Sequence, residues 1–288
     1  MSDGPFATGR YDPDELPFGE MHFVYFASYM TRAVMLNEVG YESCILTSKL
    51  ISELFRRLGI TCMPITLGVD AFNKAAWERV QRGEKVSDHT DPEDDAYVCR
   101  IPHDPERHSE EALQGHLAVV VRNRYLVDAS IDQLSRPARD LYIEPVILTF
   151  GTDEDSVTFE DFIGGEAAHC LLPNGGALIY HPHPEDLEYQ SGVDFQPIDT
   201  DAKSQHVLDS VYGLVEVALD SGEFPPLPPL PTSISTHYGR VIDAIRENGL
   251  TAEDAQEVIA RHGFTLDEYV SQIDAVSSRV QRRQAANA

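Results

Sequence analysis

The stretch GHLAVVVRNRYLVDAS, residues 115–130, contains two apolar segments joined by a short polar turn. Its β-branched and aromatic residues are typical of strands and predict an antiparallel hairpin. Two ionisable side chains, His116 and Asp128, stand near the start and the end of this hairpin. Burying a polar or charged group without a partner is costly, so residues of this kind in an apolar hairpin need an explanation. His116 and Asp128 therefore indicate a functional site rather than simple packing of the core.

The length of the turn decides whether these two side chains meet. A two-residue turn would place His116 and Asp128 on opposite faces of the sheet. A three-residue turn, Arg122–Asn123–Arg124, places them on one face as diagonal neighbours. We therefore predict the three-residue turn, in which Arg124 would occupy the position that usually needs a left-handed backbone.

A candidate nucleophile lies upstream, in YESCILTSKLISELFRRLGITCMPITLGV, residues 41–69. The apolar residues fall on one face of a helix that ends at Gly59, and a strand follows. Ser43 is a suitable N-cap, which makes Cys44 the first helical residue. A helix N-terminus lowers the pKa of a thiol through the helix dipole and the unpaired backbone N–H groups. Cys44 therefore has the placement of a reactive thiol.

A catalytic thiol needs a base, and the base needs a third group that fixes its tautomer. Because they flank a strong hairpin, His116 and Asp128 are the candidates for these two roles. Asp132 is an alternative to Asp128, but it lies beyond the strand, where Asp commonly forms turns. The sequence thus predicts a triad of Cys44, His116 and Asp128.

These segments together resemble the core of the transglutaminase-like superfamily of papain-like cysteine enzymes, over residues 40–135. The shared features are a Cys that opens a helix, an LGI turn, a strand, and then His and Asp on adjacent antiparallel strands. The resemblance implies Cys44 as nucleophile, His116 as general base and then acid, and Asp128 as the residue that orients His116. It further implies acyl transfer through a thioester, as in peptide or amide hydrolysis, transamidation or acetyl transfer to arylamines.

The oxyanion formed in such a reaction would bind the backbone N–H of Cys44. Tyr41 and Ser43, just before the nucleophile, are additional candidates for oxyanion or substrate contacts. The substrates that fit this chemistry are peptides or small amides and amines. We expect the reaction to use no metal and no cofactor.

Two other groups of residues offer alternative chemistry. His169 and Cys170 form a second thiol–imidazole pair, but neighbours on a strand face opposite ways, so we predict packing. The histidines of HPHP, residues 181–184, suggest a metalloprotein, but no further ligand has suitable spacing. We interpret them as loop histidines.

The composition narrows the classes of function. The chain has 288 residues, a formal net charge of −26 and 42% hydrophobic residues. A surface this acidic repels nucleic acids and anionic membranes, and solubility is its simplest role. The charge of the insertion at 74–113 would favour basic or amine-bearing substrates. No segment approaches the ~20 apolar residues of a membrane span, and the N-terminus lacks the features of a signal peptide. The four cysteines are dispersed, as in reduced cytoplasmic proteins.

We predict an α+β protein with a papain-like or transglutaminase-like core, in which the Cys44 helix packs on an antiparallel sheet. The core spans residues 1–222 and carries an acidic insertion at 74–113. A proline-rich linker at 223–231 and a helical C-terminal unit at 232–288 follow it. The alternative function is a catalytically inactive scaffold that recruits a protein partner through the linker and the C-terminal helices.

Overall fold

The fold is organised around β1, Cys62–Phe72, the longest strand in the described part of the chain. The computed structural model describes residues 4–39, 44–86, 94–101, 115–136, 139–151, 156–183, 202–228 and 230. The other strands in these residues are β2 Val98–Ile101, β3 His116–Val121, β4 Tyr125–Asp128, β5 Val146–Thr149, β6 Ala168–Leu171 and β7 Ala177–Pro182. They form one antiparallel sheet with β1, in the order β5-β4-β3-β1-β7-β6, and β2 pairs with the second half of β1 on the edge opposite β7.

Helices pack on both faces of this sheet. The helices are α1 Glu20–Val39, α2 Cys44–Leu58, α3 Lys74–Gln81, α4 Phe159–Ile163 and α5 Ala202–Ser221, with 3-10 helices at Pro13–Glu15 and Ile131–Leu134. α1, α2 and α5 bury the helix-facing residues of β3 and β4, among them Val119 and Val127. The 3-10 helix Ile131–Leu134 and α4 pack on the opposite face, over Val120 and Leu126. No helix in the described residues is both long and apolar enough to cross a membrane.

This arrangement confirms the α+β class and the placement of Cys44 on α2. The helix ends as predicted, because Gly59 follows it with a φ of 85°, a conformation that favours glycine. The finer papain-like or transglutaminase-like assignment stays a prediction.

The acidic segment 74–113 contains structure that the sequence analysis did not assign. Its first residues form α3, which Asn73 caps by accepting a hydrogen bond from the Ala76 N–H at 2.9 Å. The segment also contains β2. Residues 87–93 and 102–114 lie outside the described residues.

The proline-rich segment runs along α1 where it is described. The Phe224 ring stacks on Phe26 with ring centroids 4.6 Å apart. Further along the segment, the Tyr29 hydroxyl donates a hydrogen bond to the Pro228 carbonyl at 2.7 Å. Residues 231–288, which include the predicted C-terminal helical unit, lie outside the described residues.

The β3–β4 hairpin has the predicted three-residue turn, because Val121 pairs with Tyr125. The left-handed positions differ from the prediction: φ is 53° at Arg122 and 54° at Asn123, and Arg124 does not share this conformation. The Arg124 N–H donates to the Val121 carbonyl at 3.0 Å, closing a turn in which both central residues are left-handed. Arg124 is then the one residue added to a two-residue turn. It shifts the strand pairing so that His116 and Asp128 lie on the same face of the sheet.

Glu20, the first residue of α1, holds this turn. Its buried carboxylate accepts hydrogen bonds from Arg122, from Arg124 at 3.2 Å and from the Tyr125 hydroxyl at 3.0 Å. A left-handed backbone costs roughly 1–2 kcal/mol at a residue with a Cβ. The three bonds to Glu20 help to offset this cost, and so they stabilise the register that aligns His116 with Asp128.

We predict that Glu20→Gln lowers the free energy of unfolding by about 1–3 kcal/mol, because the arginines then face a neutral amide in place of a carboxylate. Urea denaturation measures this difference. The matched control is Glu15→Gln, at an exposed position, with an expected change within about 0.5 kcal/mol. Equal effects of the two substitutions would contradict the role of Glu20.

Candidate active site

The first turn of α2 is fixed against the start of β3. The Ser48 hydroxyl donates to the Leu117 carbonyl at 2.8 Å, and Ser48 is buried in the apolar face of the helix. The Leu117 N–H in turn hydrogen-bonds with the sulfur of Cys44, one helical turn before Ser48. These two contacts bring the Cys44 thiol to the end of β3 where His116 lies.

The imidazole of His116 is oriented by Asp128. Both side chains are buried, with exposed fractions of 0% and 1%. His116 Nε2 lies 2.8 Å from each carboxylate oxygen, so Nε2–H donates to Asp128. The backbone N–H and the hydroxyl of Ser130 also donate to Asp128, at 3.3 and 3.4 Å. Since Nε2 is engaged, Nδ1 is the ring nitrogen left to interact with Cys44.

The electrostatics favour an ion pair of thiolate and imidazolium. Burial alone would lower the pKa of His116, but the charge and hydrogen bond of Asp128, together with the Cys44 thiol, raise it to about 10. Burial would also raise the pKa of Cys44, but the hydrogen bond and the charge of His116 outweigh it and lower the pKa below the ordinary thiol value. A thiolate is the nucleophilic form of cysteine, so this pair suits attack on an electrophilic carbon.

The other cysteines are in the opposite situation. All four are free thiols. Burial raises the pKa of Cys62 to about 11, and it also raises the pKa of Cys99 and Cys170. Cys44 is therefore the one thiol among the four whose surroundings promote the thiolate.

The structure thus brings together Cys44, His116 and Asp128, the three residues predicted as a triad. Tyr41 and Ser43, the predicted oxyanion or substrate contacts, lie outside the described residues.

Asp132, the sequence alternative to Asp128, is bonded to a different partner. Its two oxygens lie 3.0 and 3.2 Å from Nη2 of Arg32, a residue of α1 with no exposed surface. Arg32 also donates to the Thr47 hydroxyl on α2, at 3.1 Å. The ion pair therefore ties α1 and α2 to the 3-10 helix that follows β4. Sequence reasoning missed it because the two charges lie far apart in the chain.

Gln133 is a second residue that the sequence analysis missed. Its side-chain nitrogen lies 3.2 Å from His116 Nδ1, the ring nitrogen on the side of Cys44. No local pattern marks Gln133, since it follows Asp132 in what reads as a turn. Ser48 did carry a signal, because it is a polar residue within the apolar stripe of a helix.

The interpretation of the HPHP histidines as loop residues is wrong for His181, which lies on a strand. His181 on β7 lies 3.4 Å from the carboxylate of Asp70 on β1. Within the described ranges, no three His, Cys, Asp or Glu side chains are grouped so that they could hold a metal ion.

No family model, curated protein or solved structure matches this chain. Membership of the transglutaminase-like superfamily therefore stays a prediction from the residues that carry the resemblance.

We predict that iodoacetamide alkylates Cys44 on the order of 100-fold faster than Cys62 at neutral pH, because only a thiolate reacts. The reaction at Cys44 should persist into mildly acidic solution, since its pKa is lowered. Alkylation of Cys62, Cys99 and Cys170 should rise only in alkaline solution, since burial raises their pKa values. Mass spectrometry of the peptides measures all four rates in one sample. Similar rates at all four thiols would contradict the ion pair.

Asp128→Asn should remove this advantage of Cys44. Without the carboxylate charge, burial acts unopposed on His116, which becomes neutral and leaves Cys44 protonated. We expect alkylation of Cys44 in mildly acidic solution to fall by about tenfold or more. The control, Asp209→Asn on the exposed surface of α5, should leave the rate unchanged. Unchanged reactivity in Asp128→Asn would show that another group activates the thiol.

Proposed function

We propose that this protein is a cysteine-dependent acyl-transfer enzyme with a Cys44–His116–Asp128 triad on a papain-like or transglutaminase-like core. The observation that carries the proposal is the contact of the Cys44 thiol with an imidazole whose other nitrogen lies 2.8 Å from both Asp128 oxygens. A buried ion pair of this kind has no evident structural use that a plain apolar contact would not serve.

In the proposed reaction, the Cys44 thiolate attacks the carbonyl carbon of an amide, ester or thioester. The carbonyl oxygen becomes an oxyanion, which the backbone N–H at the start of α2 can stabilise. The imidazolium of His116 then gives its Nδ1 proton to the leaving group, and a thioester on Cys44 remains. Water or an amine attacks this thioester, gives its proton to Nδ1 and releases the thiolate.

Hydrolysis of a peptide or amide bond and transamidation differ only in the second nucleophile. The negative charge of the chain favours basic or amine-bearing substrates over anionic ones. We therefore propose peptides or small amides as acyl donors, and water or an amine as acceptor.

The proposal predicts a burst of p-nitrophenolate when the protein is mixed with p-nitrophenyl acetate. The burst should equal the protein concentration, because each Cys44 is acetylated once before the slower release of acetate. Acid quenching followed by mass spectrometry should locate the acetyl group on Cys44. Adding a primary amine and measuring the acetylated amine distinguishes transfer from hydrolysis.

Cys44→Ala should abolish the burst, whereas Cys170→Ala, at a partly exposed cysteine on β6, should leave it unchanged. A burst that persists in Cys44→Ala would contradict the mechanism. A wild-type protein with neither burst nor acetylated Cys44 would instead favour the inactive scaffold.

A further inference from the structure

We propose that Gln133 binds the leaving group and the incoming nucleophile at Nδ1 of His116. This inference rests on the proposed function, which it extends by assigning the residue that receives the second substrate. It arises from one contact, the 3.2 Å between the Gln133 side-chain nitrogen and Nδ1.

Gln133 lies beside the ring nitrogen of His116 that must give and accept the proton during the reaction. Asp128 engages Nε2 with both oxygens, so the proton that moves during the reaction is the one on Nδ1. Among the described side chains, Cys44 and Gln133 are the two that approach the His116 ring on this side. In the resting ion pair Nδ1–H donates to the Cys44 sulfur, so the Gln133 NH2 group donates to Nδ1 only after that proton has left. Cys44 carries the acyl group, which leaves Gln133 beside the path of the departing or entering group.

A carboxamide suits this position because it offers both hydrogen-bonding roles. Its NH2 group donates to a neutral Nδ1, and its oxygen accepts from Nδ1–H or from the N–H or O–H of a substrate. The same side chain can therefore serve both protonation states of His116. An apolar side chain of equal size would fill the space without either bond.

The side chains beside Nδ1 are more exposed than the imidazole itself. His116 has no exposed surface, whereas Gln133 and Cys44 are both partly exposed. The proposed route of a group from solvent to Nδ1 lies between these two side chains. A nucleophile on this path comes within hydrogen-bond distance of the Gln133 carboxamide.

The backbone of Gln133 is held in place from two sides. Arg136 Nη1 donates to the Gln133 carbonyl at 2.9 Å. The preceding residue, Asp132, is paired with the buried Arg32, while Ile131 is buried on the sheet face away from α1. The side chain thus extends from a fixed 3-10 helix, as positioning of a small nucleophile requires.

The role is defined by two proton transfers. In acylation, the C–N bond of the tetrahedral intermediate breaks while the Nδ1 proton passes to the nitrogen, which departs as a neutral amine. In deacylation, water adds to the thioester carbon and gives one proton to Nδ1, and the C–S bond breaks to restore the thiolate. In both steps the Gln133 oxygen accepts a hydrogen bond from the amine or the water. It thereby orients the lone pair of the leaving amine towards Nδ1–H in acylation, and one O–H of the water towards Nδ1 in deacylation.

The test separates the two half-reactions of p-nitrophenyl acetate by stopped flow. A nitrophenolate leaves without a proton, so acylation does not need Gln133, and the burst rate constant of Gln133→Ala should stay within about threefold of wild type. Deacylation needs an aligned water and should slow by about 10- to 100-fold. Transfer to an added amine, glycinamide, should fall similarly. Gln81→Ala, at an exposed position on α3, is the matched control and should change neither step.

Gln133→Met, which keeps the volume, should behave like Gln133→Ala and decides the question if the alanine variant does not fold. If a folded variant deacylates at the wild-type rate, the role of Gln133 is overturned but the proposed function still stands. Parallel slowing of both steps, with loss of fast Cys44 alkylation, would also overturn it, because Gln133 would then only position His116. A wild-type protein without a burst would overturn the proposed function and this inference with it.

Discussion

The negative charge of Asp128 is the interaction on which the site depends. Burial by itself would keep His116 neutral and Cys44 protonated, and the pair would be an unremarkable polar contact. The carboxylate favours the imidazolium form of His116, and the imidazolium in turn favours the thiolate form of Cys44. It can do so because both of its oxygens lie against the imidazole and little water competes with them. A buried charge stabilises its neighbours only when the geometry is held tightly, so the rest of the fold must keep these groups aligned.

That alignment comes largely from α1, which contributes none of the three reacting side chains. At one end of the helix, Glu20 binds the turn of the β3–β4 hairpin and so stabilises its register. In the middle, Arg32 binds Asp132 and fixes the segment that follows β4. Both contacts join residues about a hundred positions apart. The candidate site is therefore a product of tertiary packing more than of any local motif.

The dependence on tertiary packing explains which features of the fold and the site could be predicted from the sequence and which could not. The helix that carries Cys44 followed from the periodicity of its apolar residues. The hairpin register followed from the face of the sheet that His116 and Asp128 must share. Arg32 escaped prediction because a guanidinium in a helix ordinarily faces solvent and its acid is remote in sequence. Gln133 escaped because a polar residue after a strand reads as part of a turn. The helix capped by Asn73 was hidden by the acidic composition around it, although the cap itself was visible.

The separation of Cys44 from its activating partners also has a consequence during synthesis. A ribosome makes Cys44 well before His116 and Asp128, and in the nascent chain its sulfur is an ordinary protonated thiol. Peroxides attack thiolates far faster than thiols, so the emerging chain is spared the oxidation to which a finished site is prone. The reactive sulfur is thus created by folding rather than by translation, and in an unfolded chain Cys44 has only the reactivity of an ordinary thiol.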